Sequence, residues 1–306
     1  MTTTIKSAGK TAAKPAAAVA ADTSPDSTIA FQGAPGAYSD LACRTVYPGM
    51  TTLPCRDFAE TFAAVREGKA RLAMIPVENS VAGRVADIYH LLPDSRLHIV
   101  AEHFQRVEHH LLAPPGATIA GLKSVFSHVH ALGQCRKLIA ELGIDAVVAA
   151  DTAGSAAEVA RRGDKTVAAI ASSLAGKLYG LQSLRANIED AEHNTTRFLV
   201  MTREPINPDA DTDVVTTFVF RVRNVPAALY KAMGGFATNG VNMTKLESYM
   251  LGGNFFATQF YSDIEGHPEH TPVRLALEEL SFFSREVRIL GVYPAHPARK
   301  KGAVDD

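Results

Sequence analysis

The stretch His193-Asn194-Thr195-Thr196-Arg197-Phe198 runs directly into the apolar run Phe198-Leu199-Val200-Met201. Two hydroxyls, an amide and a guanidinium therefore stand immediately before what reads as a buried strand. One reading is a loop that carries fixed donors to the mouth of a strand, where they can meet an anion. The other is an ordinary solvated connection, which has the same polarity. The pattern on either side has to decide between them.

N-terminal to the stretch, strand and helix signals alternate. Thr28–Gly33 reads as a short strand. Ala34-Pro35-Gly36-Ala37-Tyr38-Ser39-Asp40 is a tight turn that can aim backbone N–H groups at an anion, with Ser39 or Asp40 as cap of a helix through Val46. It is not GxGxxG, so a dinucleotide fingerprint is not supported. Asp57 and Glu60 have capping-box spacing and open a helix to about Gly68. Arg71–Val77 is a buried-type strand ending in Glu78-Asn79-Ser80. A helix follows over Arg84–Leu92, and Leu97–Ala113 reads as extended. Next come a strand at 123–126, a helix from Ser127-His128 to Leu142, a strand at 146–149 and a helix opened by Asp151-Thr152. A strand at 167–171 and a helix from Ser172 to Leu178 complete the run.

Such alternation predicts an α/β sheet with parallel strands, in which ligands bind outside the carboxyl ends of the strands. Four polar clusters fall at those ends: Ala34–Ser39, Glu78–Ser80, Ser127–Gln134 and Asp151–Ser155. Helix capping alone would explain one of them. Four, together with the hexapeptide, favour a cleft for a small anion.

After Thr202 the composition changes. Residues 203–213 hold two prolines and read as a linker. Beyond it the order is strand 214–222, helix 226–239, strand 241–250, strand 254–264, helix 272–284 and strand 287–293. That is βαββαβ, the ferredoxin-like order. Residues 1–27 are rich in Ala, Thr, Lys and Pro and lack the apolar core of a secretory signal, so they read as a disordered tail. Residues 297–306 read as a C-terminal tail.

The chain has 306 residues, 46% apolar and 21% charged, with a net charge of −1. This fits two or more packed domains and argues against a nucleic-acid partner. No run approaches the eighteen apolar residues of a membrane span. Cys43, Cys55 and Cys135 form no CxxC pair, and the eleven histidines make no metal-ligand frame. Reduced thiols and a cytoplasmic location are the expectation.

Several of these stretches together resemble the prephenate dehydratase family over about residues 28–296. They are Phe31-Gln32-Gly33 with Gly36-Ala37-Tyr38-Ser39, Pro76–Gly83, Ser127-His128 with Gln134-Cys135, Asp151–Ala156, and Asn194-Thr195-Thr196-Arg197-Phe198, which is similar to the family's Thr-Arg-Phe signature. The resemblance implies an α/β catalytic region of two lobes like a type II periplasmic binding protein, 28–101 with 182–202 and 102–181, with the site between them. It also implies loss of water and carbon dioxide from prephenate to give phenylpyruvate, with no cofactor and no metal.

The residues carried over as catalytic are Thr196, Arg197, Asn79 and Glu78. Those carried over as substrate-binding are Ser80, Ser127, Gln134, Thr152, Thr195, Asn194, Phe198, Tyr38 and Ser39. Neutral donors and one arginine suit a dianion whose ring becomes aromatic. Arg197 is expected to grip a carboxylate. Thr196 is expected to hydrogen-bond the departing hydroxyl, with or without relaying a proton. Glu78 is either a proton donor or the counter-charge of an arginine, the second being favoured. Asp151 needs no role beyond capping its helix.

Residues 214–296 resemble an ACT domain, a small module that binds amino acids. At the positions associated with phenylalanine stand Ala227-Ala228-Leu229, where the family has Gly-Ala-Leu, and Glu247-Ser248-Tyr249-Met250, where it has Glu-Ser-Arg-Pro. Feedback by phenylalanine and a homodimer or homotetramer are thus expectations. Arogenate dehydratase, and a non-catalytic amino-acid or solute sensor on the same fold, are the alternatives.

Overall fold

The computed structural model describes residues 24–223, 225–250 and 257–301. Its first part comprises β1 (Thr28–Gln32), α1 (Tyr38–Val46), β2 (Thr51–Cys55), α2 (Phe58–Arg66), β3 (Leu72–Asn79), β4 (Gly83–Arg84), α3 (Ala86–Leu91) and β5 (His98–Arg106). The chain then enters β6 (His110–Ala113), β7 (Ser124–His128), α4 (Val129–Gly133), α5 (Arg136–Leu142), β8 (Asp145–Ala149), α6 (Thr152–Arg162), β9 (Val167–Ala171), α7 (Ser173–Leu178) and β10 (Gln182–Ala186). It returns as β11 (Thr195–Thr202). The C-terminal unit is β12 (Val214–Val222), α8 (Ala228–Thr238), β13 (Met243–Met250), β14 (Ala257–Glu265), α9 (Thr271–Phe283), β15 (Ser284–Pro294) and α10 (Ala298–Lys301).

Two mixed sheets form the first two lobes, in orders β2-β1-β3-β11-β5 and β10-β6-β9-β7-β8. Only part of each is parallel: β1 with β2 and β3, and β7 with β8 and β9. The returning strand β11 runs antiparallel between β3 and β5, and β6 runs antiparallel between β9 and β10. The expectation of parallel strands is corrected to that extent.

The lobe boundaries also move. All of β5 pairs with β11 in the first sheet, so residues 102–106 belong there, whereas β10 pairs with β6 in the second. The extended run 97–113 hides this crossing because both halves have the same alternating pattern. The helix expected up to Leu142 divides into α4 and α5, and Ala37, rather than Ser39 or Asp40, caps α1. Asp40 instead accepts the Gly36 N–H at 2.8 Å. Asp57 and Asp151 cap α2 and α6 as read from sequence.

Residues 1–23 and 302–306 of the expected tails lie outside the described residues, as do 254–256 of the expected strand. Within those tails, Pro25–Ser27 form a single 3-10 turn and 298–301 form α10. The C-terminal sheet is antiparallel in order β13-β14-β12-β15, with α8 and α9 packed together. Its other face closes on the first lobe: Val215, Val219, Tyr261, Leu290 and Tyr293 share one apolar core with Ile88, Ile99, Leu199 and Met201. Gly291 permits that approach, since a Cβ there would lie 2.2 Å from the Ile99 carbonyl oxygen.

Candidate functional site

Strand alternation gives β11 two faces. Phe198 and Val200 pack with Phe31 and Met74, while Leu199 and Met201 pack towards the C-terminal sheet. Thr196 shares the first face and Arg197 the second. On β3, register partner to register partner, Asn79 lies beside Thr196 and Glu78 beside Arg197. The hexapeptide thus splits its chemistry between two sides of one sheet.

On the cleft side the hydrogen bonds have a direction. Asn79 Oδ1 accepts the Val81 and Ala82 backbone N–H groups at 2.9 and 2.8 Å. Its Nδ2 must therefore face the other way, donating to Asn194 Oδ1 at 2.8 Å and to Thr196 Oγ1 at 3.0 Å. Thr196 is an acceptor from Asn79, so its own O–H is left to donate elsewhere. Asn194, with its oxygen occupied, donates through Nδ2 to Gln134 Oε1 at 3.0 Å. Among the described residues the Gln134 Nε2 is then the end of this chain of hydrogen bonds.

His109, which the sequence reading does not single out, completes this network. Its Nε2 lies 2.8 Å from Gln134 Oε1 and its Nδ1 2.7 Å from Tyr38 Oη. Since that Gln134 atom already accepts from Asn194, it is the amide oxygen and Nε2–H donates to it. The Tyr38 hydroxyl, which also donates to the Glu108 carbonyl at 2.9 Å, divides its one proton between that carbonyl and Nδ1 of a neutral imidazole. Burial depresses the His109 pKa and raises that of Tyr38 well above the phenol range, which keeps both groups neutral. The buried position of His109 between the two lobes was not visible in its spacing.

The network joins Asn79 and Thr196 of the first lobe to Gln134 of the second through Asn194, and Tyr38 to Gln134 through His109. Ser80 and Thr195 sit beside it in a supporting role: Ser80 Oγ donates to the His193 carbonyl at 2.7 Å and accepts Thr195 N–H at 2.9 Å. Ser80 pins the hexapeptide rather than offering its proton to a ligand. Ser39 and Thr152 stand in the first turns of α1 and α6, and among the described residues the network does not reach them.

Three expectations are corrected. Arg197 is 4% exposed and cannot grip a ligand in the cleft. It donates to Glu102 at 2.9 Å, Glu78 at 3.1 Å, Asp263 at 2.6 Å and the Tyr293 hydroxyl at 3.1 Å. Ser127 is fully buried and its hydroxyl donates to the Ile170 carbonyl at 2.6 Å. Phe198 is a core residue packed with Phe31 and Val200. Each has the polarity or position of a site residue in the sequence, but strand direction turns it inward.

Glu78 follows the counter-charge reading, bonded to Arg197 and to Lys245 at 2.5 Å. The two deep carboxylates, Glu102 and Asp263, lose hydration, yet the Arg197 and Arg299 guanidiniums hold both below the usual carboxylate range. Burial opposes the charge on Arg197 as well, and Asp263, with the other acids, more than offsets it.

The lobes are held in register by a second contact. Ser172 Oγ donates to the Gly36 carbonyl at 2.6 Å and Tyr179 Oη to the Pro35 carbonyl at 2.8 Å. Gly36 has φ +89° and a Cβ there would lie 2.8 Å from the Ala175 Cα. The turn thus docks on the second lobe instead of lining an open anion site.

A prephenate dehydratase family model matches residues 29–206, the span of the two lobes and β11. The chain belongs to the prephenate dehydratase family. It is 59% identical over 274 residues to a bifunctional N-acyl-homoserine lactone acylase/prephenate dehydratase of Komagataeibacter europaeus, covering 89% of this chain and 98% of that protein. An arogenate dehydratase/prephenate dehydratase of Arabidopsis thaliana is 40% identical, with 87% of this chain and 71% of that protein covered. Among solved structures, a prephenate dehydratase of Arthrobacter aurescens in complex with L-Phe matches with a TM-score of 0.82 at 31% identity, over 90% of this chain and 92% of that one. The mixed α/β sheets described above are those of prephenate dehydratases. Among the described residues no helix is long and apolar enough to cross a membrane.

Proposed function

We propose that the cleft between the two lobes, which we read as a type II periplasmic-binding-protein-like pair, converts prephenate to phenylpyruvate, and that Thr196 assists the leaving hydroxyl. The enzyme is a lyase of aromatic amino acid biosynthesis. In the reaction the bond from the ring to its carboxylate breaks and releases carbon dioxide. Those electrons make the ring aromatic as the C–O bond breaks, and the departing hydroxide takes one proton to become water. The substrate dianion plus one proton thus gives the phenylpyruvate monoanion, carbon dioxide and water.

The single observation carrying this reading is the bond from Asn79 Nδ2 to Thr196 Oγ1, whose direction is set by Val81 and Ala82. It leaves the Thr196 O–H free to donate to the leaving oxygen. A threonine hydroxyl is a weak acid, so it supplies a hydrogen bond to developing charge and the net proton comes from solvent. Gln134 Nε2 is the neutral donor that suits a substrate carboxylate, with Asn194 and His109 holding it in place. Thr195, on the face of Arg197, supports the strand through Ser80. Ser39 and Thr152 are outer candidates at their helix starts.

We read the C-terminal βαββαβ unit as an ACT-type regulatory domain with phenylalanine as its effector. Ala228 and Leu229 pack against the core between sheet and helices, whereas Glu247 turns towards the first lobe and accepts from Arg84 and Lys245. Arg84 also reaches the Ser248 carbonyl at 3.3 Å. Ala227 holds φ +59°, a conformation that glycine adopts without strain. The two stretches point to different neighbours, and Tyr230 and Phe282 are exposed on the helices. Both features fit a homodimer or homotetramer. A cytoplasmic location suits the three buried, unpaired cysteines.

The test is to incubate purified protein separately with prephenate and arogenate, following phenylpyruvate by its absorbance in base and phenylalanine by chromatography. Phenylpyruvate from prephenate supports the reading. Product from arogenate alone redirects it to arogenate dehydratase, and no product from either favours a sensor. The high identity to a relative named as bifunctional supports a second reading, hydrolysis of the amide bond of an N-acyl-homoserine lactone. Release of homoserine lactone and fatty acid in the same preparation would establish it.

A further inference from the structure

Behind the pair Asn79–Thr196 lies the charged pair Glu78–Arg197, one step along the same register. It does not end in solvent. Lys245 of β13, 12% exposed at its side chain, donates to Glu78 Oε2 at 2.5 Å and to Glu247 Oε1 at 3.3 Å, while Arg197 takes Glu78 Oε1 at 3.1 Å. The two oxygens of one carboxylate are thus divided between the strand that carries Thr196 and the C-terminal sheet.

The backbone ladder between β3 and β11 is interrupted at this point. Arg197 pairs with Glu78 but Phe198 pairs with Pro76, so Val77 has no partner on β11. This is a β-bulge, a feature that re-aims the side chains beside it. Pro76 has no N–H to add, and the Val77 carbonyl bonds to Val85 instead. Beyond the bulge Asn79 is paired with Thr196 and Gly83, and the Glu78 side chain is a further hold on this end of β3.

We propose that Lys245 is a positioning residue for Asn79 and Thr196, acting through Glu78 from the C-terminal sheet. The inference rests on the dehydratase reading of that pair. Its geometry also gives the C-terminal unit a route to the cleft: any shift of β13 that draws Lys245 from Glu78 loosens the end of β3.

Lys245→Met and Glu78→Gln are expected to lower kcat about tenfold with KM within about twofold, since misplacement of a catalytic group acts on the reacting step. Lys245→Arg is expected to restore most of the loss. The double variant should lose no more than either single one, because both cut the same link. Arg274→Ala, which breaks an exposed pair on α9, serves as control.

The second readout is the side-chain amide NMR signal of Asn79, assigned by its loss in Asn79→Asp. It should shift in Lys245→Met and return in Lys245→Arg. Should Lys245→Met not fold, Lys245→Gln carries both measurements. Additive losses, an unmoved amide, or an unchanged kcat in a wild-type enzyme that turns over prephenate would each overturn the proposal. A wild type inactive on prephenate would instead sink the dehydratase reading, with the amide signal still testing the link.

Discussion

At the scale of the residue, one amide does most of the organising. Asn79 spends its oxygen on two backbone donors and both its protons on Asn194 and Thr196, and that fixes the proton direction as far as Gln134. His109 fixes the far end, with Nε2 on Gln134 and Nδ1 against the Tyr38 hydroxyl, and burial favours its neutral form. Its pKa is depressed by burial, so the unfolded chain takes up a proton first as pH falls. Stability is then lost below about pH 6.5 at up to about 1.4 kcal/mol per pH unit for this group, levelling off below its folded pKa. His103, His110 and His128 are depressed too and add to the slope. Melting curves from pH 7 to 5 should fall for the wild type and less steeply for His109→Asn. An equal slope in the two would contradict the buried neutral imidazole.

At the scale of the element, the close crossing of β15 over β5 depends on Gly291. Gly291→Ala places a methyl against the Ile99 backbone, where nothing flexible can yield, and should cost about 1–3 kcal/mol in urea titrations. A change within 0.5 kcal/mol would mean that the two strands part easily. The sequence made most elements legible: the hexapeptide as the start of a strand, the Asp57 and Asp151 caps, and the βαββαβ order. It did not show β2 or β10, whose short segments carry proline or charge where a buried strand signal needs apolar residues. Nor did it show the crossing within 97–113. In the site, polarity placed clusters at strand and helix ends, and the family resemblance named Asn79, Asn194, Thr196, Gln134 and Tyr38 within and beside them. Arg197, Ser127 and Phe198 could not be told apart from them, because one residue of register decides which face a side chain takes.

At the scale of the molecule, the C-terminal unit and the first lobe share a core and a buried charge cluster, so they should unfold together. Asp263 lies on β14, is fully buried, and holds Arg197 and the Thr217 hydroxyl. Asp263→Ala strands Arg197 among fewer partners and should destabilise both units by about 3–5 kcal/mol in one calorimetric transition. Two separate transitions would contradict a common core. Glu102 and Asp263 are depressed, so their contribution is present above the usual carboxylate pKa and fades as acid protonates them in the folded state. The same cluster sits directly behind Thr196, which is how the C-terminal unit and the cleft come to share one strand. The account stands on what Thr196 does at the front of it. Steady-state turnover of prephenate by Thr196→Val and Thr196→Ser, against wild type, measures this most directly. Removing the hydroxyl should lower kcat by about 10²–10³-fold while serine retains most of it; near-normal turnover by Thr196→Val would contradict the account.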